Sequence, residues 1–216
     1  MKPENIDYSL YLVTDRGLSR GRSTREIVES AVRGGVTCVQ LREKTATTRE
    51  FIHEVQGIKD LLASLHIPLI INDRLDVALA VGAEGVHLGQ KDMPLEMART
   101  ISKGRMLIGI SVESVEDAIA AEKGGADYLG VSPIYKTLTK TDTAPALGLE
   151  GLAEIRRIVK LPLVAIGGLN RDNTAAVICN GADGVAVVSA LVAAEDPERA
   201  ARRLMHVIQK ARKRCV

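Results

Sequence analysis

Short apolar bursts and longer segments of helical spacing take turns along this chain. The bursts cover 8–15, 36–44, 68–73, 85–89, 106–111, 128–134, 162–168 and 184–189 and are rich in Val, Ile and Leu. Runs of that length and content, bounded by turn residues, read as strands. Between them apolar residues recur every three or four positions, as on one face of a helix. Helices are predicted over 24–33, 48–65, 75–81, from 94 onward, 114–123, 149–159, 170–179 and 197–213. Ser23 or Thr24, Thr47 or Thr48, Ser114 and Asn170 stand where N-caps belong, and Pro94 suits a first helical turn. Gly34-Gly35, Gly82 and Gly124-Gly125 stand where helices stop.

Strands joined by helices run parallel. Eight such units, with no linker or shift in composition, predict one α/β domain over 1–216, a (β/α)8 TIM barrel. A weak internal repeat agrees with this: Gly82-Ala83-Glu84, Gly125-Ala126-Asp127 and Gly181-Ala182-Asp183 each precede a strand. The competing open, doubly wound sheet would carry a glycine-rich turn after its first strand, and Asp15-Arg16-Gly17-Leu18 does not match one.

Composition narrows the function. The 216 residues are 46% hydrophobic and 26% charged, with a net charge of +2, which does not suggest a nucleic-acid or membrane binder. Aromatics make up 2%, too few for base-stacking platforms. Cys38, Cys179 and Cys215 are odd in number and widely spaced, and are expected to be buried thiols or a tail residue in a reducing compartment. Met1-Lys2-Pro3-Glu4-Asn5 lacks the apolar core of a signal peptide, and no run is long enough to span a bilayer. A cytoplasmic protein is expected, with small molecules as partners and a homo-oligomer left open.

The second strand carries the first chemical signal. Side chains alternate faces, so Val39 and Leu41 point one way while Gln40, Arg42 and Lys44 point the other. Two cations facing the inside of a barrel need an anion, because unpaired buried charge is too costly to keep. An edge strand with its polar face in water is the alternative. Barrels of this kind do chemistry at the C-terminal ends of their strands. There the sequence places Asp15, Asn72 and Asp73, Gln90 and Asp92, Ser111, Thr137 to Lys140, Gly167-Gly168, and Val188-Ser189. Asp73 and Asp92 suit Mg²⁺ with a substrate phosphate; each is equally a candidate helix N-cap. Gly167-Gly168 and Val188-Ser189 follow strands seven and eight, where barrels often bind phosphate through backbone N–H groups. His87 alternates with Val86 and Leu88 and could face the interior in a supporting role, while His53, His66 and His206 read as surface groups.

These stretches together resemble the thiamine phosphate synthase family. The matching segments are Tyr11 to Asp15, Val39 to Lys44, Ile71 to Arg74, Gly85 to Gln90 with Asp92, Gly109 to Ser111, Thr137 to Lys140, Gly148 to Gly151, Ala165 to Gly168 and Gly184 to Ser189, in the family's order. The resemblance implies a transferase that joins an aminopyrimidine methyl diphosphate to a thiazole ethyl phosphate, giving thiamine phosphate and diphosphate. It implies that Gln40, Leu41, Arg42, Glu43, Lys44, Asn72, Ser111 and Lys140 hold the pyrimidine diphosphate. Of these, the resemblance implies that Arg42, Lys44, Ser111 and Lys140 act in catalysis. The resemblance also implies that Asp73 and Asp92 bind Mg²⁺ and that Thr137, Leu138, Thr139, Gly168, Val188 and Ser189 hold the thiazole phosphate.

The chain departs from the family at Tyr135-Lys136, where Phe-Pro is frequent; this bears on the rigidity of the following loop. That connection, 135–148, is the longest in the chain and is expected to act as a lid over the ligands. Two other functions compete. A thiazole tautomerase shares the barrel, but by resemblance lacks the metal pair and the Thr-x-Thr-Lys loop present in this chain. A non-catalytic phosphate sensor would have no use for a full set of diphosphate ligands.

Overall fold

Each apolar burst forms a parallel strand, and each helical segment returns the chain to the same end of the sheet. The computed structural model describes residues 6–137 and 145–215. The strands are β1 (Leu10–Val13), β2 (Cys38–Leu41), β3 (Leu69–Asn72), β4 (Gly85–Leu88), β5 (Leu107–Val112), β6 (Tyr128–Val131), β7 (Leu163–Ile166) and β8 (Gly184–Val187). They pair in chain order, and β1 pairs with β8 at Leu10↔Val185, so the sheet closes into the predicted barrel. The helices are α1 (Thr24–Arg33), α2 (Thr48–Ser64), α3 (Leu75–Val81), α4 (Leu95–Ser102), α5 (Val115–Lys123), α6 (Gly148–Ile158), α7 (Thr174–Cys179), α8 (Ser189–Val192) and α9 (Pro197–Arg214).

Local chemistry explains most boundaries. Ser23 and Thr47 each close a capping box with the glutamate three residues on, Glu26 and Glu50, and Ser114 caps α5. Asn170 does not cap α7. The helix starts after Asn173, whose side chain accepts from Asn170 N and donates to the Gly168 carbonyl, so 170–173 form a turn instead. The four-residue α8 lies where the sequence shows only a strand end.

Alternation along the strands sorts the apolar residues into two layers. Leu10, Leu12, Val39, Leu41, Leu69 and Ile71 pack outward against the helices. Tyr8, Tyr11, Val13, Cys38, Ile70, Tyr128, Val164 and Ala186 fill the barrel. Three of the chain's four tyrosines are therefore inside, in contact with one another.

The internal repeat has a physical basis. Glu84, Asp127 and Asp183 each precede an even-numbered strand, and each carboxylate accepts the backbone N–H at the start of the strand before it. The acceptances are from Leu69 at 2.9 Å, Ile108 at 2.7 Å and Leu163 at 2.7 Å. Thr37 Oγ1 does the same for Leu10 N at 3.1 Å, completing a fourfold pattern. The glycines two residues earlier, Gly35, Gly82, Gly125 and Gly181, all have positive φ, the left-handed turn that ends a helix.

One expectation about cysteine is overturned. Cys179 and Cys215 form a disulfide, with Cα atoms 5.4 Å apart; only Cys38 is a buried free thiol. The α7–α9 packing brings the end of the chain to the end of α7. α9 docks through Ala201, Leu204, Ile208 and Ala211, one stripe at helical spacing. Among the described residues no helix is long and apolar enough to cross a membrane.

Candidate active site

The polar side of β2 does face the barrel. Gln40 is 4% exposed within the interior, and Arg42 and Lys44 continue past the strand's C-terminal end. Both cations find carboxylates. Arg42 Nη1 donates to Asp15 Oδ2 at 2.8 Å, and its backbone N–H is held by Thr14 Oγ1 at 3.0 Å. Lys44 pairs with Asp73 across the gap to β3. Leu41 and Glu43 point elsewhere. Leu41 is 1% exposed in the outer layer, so only its backbone can reach a ligand. The Glu43 carboxylate accepts from Thr45 N, Ala46 N and Thr45 Oγ1, and pairs with Arg16 at 3.0 Å. Burial pushes its pKa up, but these donors and Arg16 outweigh that and hold it at about 2. Glu43 thus shapes the loop after β2, and its carboxylate is already engaged by the protein.

Asp73 and Asp92 converge. Neither caps a helix: α3 is preceded by Arg74 and α4 by Pro94. Asp73 has a positive φ of 61°, a conformation that costs a non-glycine residue energy and is stabilised by its N–H bond to His87 O at 2.8 Å. Asp92 Oδ2 accepts from Gly89 N at 2.7 Å. Burial raises the Asp92 pKa, and a hydrogen bond and charge repulsion from Asp73 raise it further. Two carboxylates forced together beside one ammonium offer hard oxygen donors and an excess of negative charge, which fits Mg²⁺. Among the described residues no group of three or more His, Cys, Asp and Glu forms a denser cage.

Ser111 lies near the end of β5. Its Oγ is 2.9 Å from His87 Nε2, and its carbonyl accepts from Gln90 Nε2 at 2.6 Å. His87 Nδ1 is 3.0 Å from Tyr128 Oη, which is 3.0 Å from Tyr11 Oη, which accepts from Gln40 Nε2 at 3.0 Å. The sequence points to Gln40, Ser111 and an inward His87, but not to the tyrosines that join them. The available signal is period-two spacing: Tyr128 shares an inward parity with Gly130 two residues on and with Gly109 opposite it on β5, and Tyr11 with Cys38 opposite it on β2. Asn72 closes β3 opposite His87 on the same inner face.

The glycine turn after β7 lies against the loop after β6. Gly167 and Gly168 have φ of 104° and 65°. A Cβ on Gly168 would come within 2.8 Å of Lys136 O and 2.9 Å of Tyr135 Cβ. Tyr135 N donates to Gly167 O at 3.1 Å, and on the return Leu147 N and Gly148 N bond to Pro133 O and Ile134 O. Val188 and Ser189 open α8 beside this turn. Barrels often bind phosphate with the loops after strands seven and eight and a short extra helix, and this backbone has those parts. Thr137 lies in the described part of the loop; Leu138, Thr139, Lys140 and the rest of 138–144, half of the expected lid, lie outside the described residues.

The family model for thiamine monophosphate synthase matches residues 10–191. The chain is 54% identical to the thiamine-phosphate synthase of Syntrophomonas wolfei, covering 95% of this chain and 99% of that protein. It is 53% identical to the thiamine-phosphate synthase of Chloroflexus aurantiacus, covering 94% of each. The structure is similar to that of thiamine phosphate pyrophosphorylase from Pyrococcus furiosus, with a TM-score of 0.89, 42% identity, and coverage of 95% of this chain and 97% of that one. With the barrel, the charged rim after β2 to β4 and the glycine turn after β7 all in place, the chain belongs to the thiamine monophosphate synthase family.

Proposed function

We propose that this barrel joins an aminopyrimidine methyl diphosphate to a thiazole ethyl phosphate, releasing diphosphate and forming thiamine phosphate. Membership of the family supports the reaction. The observation that carries the assignment of residues is the meeting of Arg42, Lys44, Asp73 and Asp92 on adjoining strand ends. The reaction we infer is a dissociative displacement. The bond from the pyrimidine methylene to the diphosphate oxygen breaks, and the electron pair leaves with diphosphate. The thiazole nitrogen then supplies a pair to the methylene cation. Charge grows on the departing oxygens, so cations fixed beforehand stabilise this step more than the ground state.

Arg42 and Lys44 are held at the rim by Asp15 and Asp73. They would turn to the diphosphate with Ser111, Asn72 and, by resemblance, Lys140. Asp73 and Asp92 would hold Mg²⁺, which when bound draws negative charge from the diphosphate. Gly168, Val188 and Ser189, with Thr137, Leu138 and Thr139 from the loop after β6, would hold the thiazole phosphate. The barrel wall keeps water from the cation until the nitrogen reacts. Phosphorylated substrates do not cross a bilayer unaided, which supports a cytoplasmic place of work.

The test is direct. Purified protein with both substrates and Mg²⁺ should release diphosphate and form thiamine phosphate. Isomerisation of a thiazole carboxylate with no coupling would replace the proposal with a tautomerase. Asp73→Ala and Asp92→Ala should each lower turnover by roughly 10²–10³, and full activity in excess chelator would remove Mg²⁺ from the account.

A further inference from the structure

We propose that Tyr11, Tyr128 and His87 are positioning residues. They form a one-way chain of hydrogen bonds that sets which way Gln40 and Ser111 face a substrate. The inference rests on the proposed function, because it takes those two groups as substrate ligands.

The direction follows from counting protons. An amide nitrogen only donates, so Gln40 Nε2 gives its proton to Tyr11 Oη, at 3.0 Å. A phenol has one proton, and the strong acceptor next to Tyr11 is Tyr128 Oη, at 3.0 Å. Tyr128 in turn has His87 Nδ1 at 3.0 Å. A neutral imidazole that accepts at Nδ1 carries its proton on Nε2, which faces Ser111 Oγ at 2.9 Å. Run the other way, the chain would leave the Tyr11 proton on the Cys38 sulfur, its remaining neighbour and a weak acceptor. Burial holds both phenols well above their ordinary pKa, so each keeps the proton it must pass on.

The surroundings are cut to fit this chain. Tyr11 and Tyr128 are 1% and 0% exposed. A Cβ on Gly109 would lie 2.1 Å from Tyr128 Cζ, and one on Gly130 would lie 2.8 Å from His87 Cε1. Two strand glycines therefore leave room for the two rings. Barrel interiors are usually filled with branched aliphatics; in this protein a polar line runs through the interior and joins the two ends of the site.

The consequence falls at those ends. Gln40 has its nitrogen committed inward, so its Oε1 is the atom left for a ligand: an acceptor, suited to the amino group of the pyrimidine. Ser111 accepts from His87, so its own proton is left to donate to a diphosphate oxygen. The chain thereby selects an amino-bearing ring over its oxo analogue, because the oxo form would place acceptor against acceptor.

Calorimetry and steady-state kinetics on the full chain test this. The probes are the amino and oxo forms of the pyrimidine methyl diphosphate, bound without thiazole. Tyr11→Phe removes only the oxygen that pins Gln40, whose amide can then rotate. The preference for the amino form should fall by about tenfold, while KM for thiazole phosphate stays put. Gly130→Ala keeps every functional group but pushes His87 off Ser111. It should lower kcat and leave the amino preference intact, a split that a general loss of packing would not produce. Tyr128→Phe reads the middle of the chain if Tyr11→Phe does not fold, and should lower both. An unchanged amino preference in folded Tyr11→Phe or Tyr128→Phe, with the wild type still coupling its substrates, overturns the chain alone. A wild type that couples nothing overturns the proposed function instead.

Discussion

Single side chains at the rim show a tension between folding and the ligand binding proposed for them. The ionised Asp92 carboxylate is disfavoured by burial and by Asp73, so its pKa is raised on folding. A raised carboxylate contributes stability below its unfolded pKa and loses it as pH rises through the folded value. Asp92→Asn, which keeps an acceptor for Gly89 N, should therefore raise Tm at pH 7 in metal-free protein. The gain should vanish as pH falls below the ordinary aspartate range, and Mg²⁺ should raise the Tm of the wild type only; a Tm unchanged at pH 7 would argue against the strain. Glu43 is the opposite case. Its pKa falls from 4.5 to about 2, so its contribution is present above 4.5 and is lost as pH drops toward 2. Thermal melts across that window should show Glu43→Gln below wild type at pH 7 and the two converging near pH 2. The sequence shows that a carboxylate stands at 43. It does not show that backbone N–H groups of Thr45 and Ala46 occupy it, because that depends on how the loop after β2 turns.

At the scale of elements, the fourfold anchor before the even strands ties neighbouring units together. Asp127 bonds Ile108 N and pairs with Arg99, itself bound to the Gly125 carbonyl, much as Asp183 bonds Leu163 N and pairs with Arg156. Asp127→Ala leaves a strand-opening N–H without its acceptor. Hydrogen bonds to charged groups contribute about 1.5–3 kcal/mol, and in a chain of this size each kcal/mol moves Tm by roughly 2–4 °C. A drop of several degrees is expected in a thermal melt; no drop would mean that water replaces the carboxylate at no cost. The repeat was visible in the sequence as Gly-Ala followed by an acid. Its partner Thr37 was not, since Gly35-Val36-Thr37 shares only the glycine and the position. The helix starts at Ser23, Thr47 and Ser114 were readable because capping is local. The start of α7 was not, since Asn173 reaches back to Gly168, a contact set by the turn after β7.

For the whole molecule, the Cys179–Cys215 bond closes a loop with a separation of 36 in sequence and joins α7 to α9. In the loop-entropy account a closure of this size is worth about 3–4 kcal/mol. Cys215→Ser should lower the Tm of oxidised protein, and a reductant should abolish the difference between variant and wild type. Turnover should be unaffected, because the bond sits by the N-terminal ends of the strands and the proposed site at the opposite ends. A Tm that ignores both substitution and reductant would show that the α9 stripe alone keeps that helix docked.

The sequence by itself determined the barrel, because strand and helix periodicity are local and eight parallel units of this length have a short list of arrangements. It also determined which polar groups reach the rim, since parity along β2 and β3 decides which side chains share a face. Tertiary structure decided what those groups meet. It turned Asp73 and Asp92 toward each other rather than onto helix ends. It brought Cys179 to Cys215 across two packed helices, and stacked Tyr11, Tyr128 and His87 into one line. Each of these is a contact between residues far apart in the chain, placed by the closure of the sheet and the packing of its helices, and no local pattern of polar and apolar positions carries that distance.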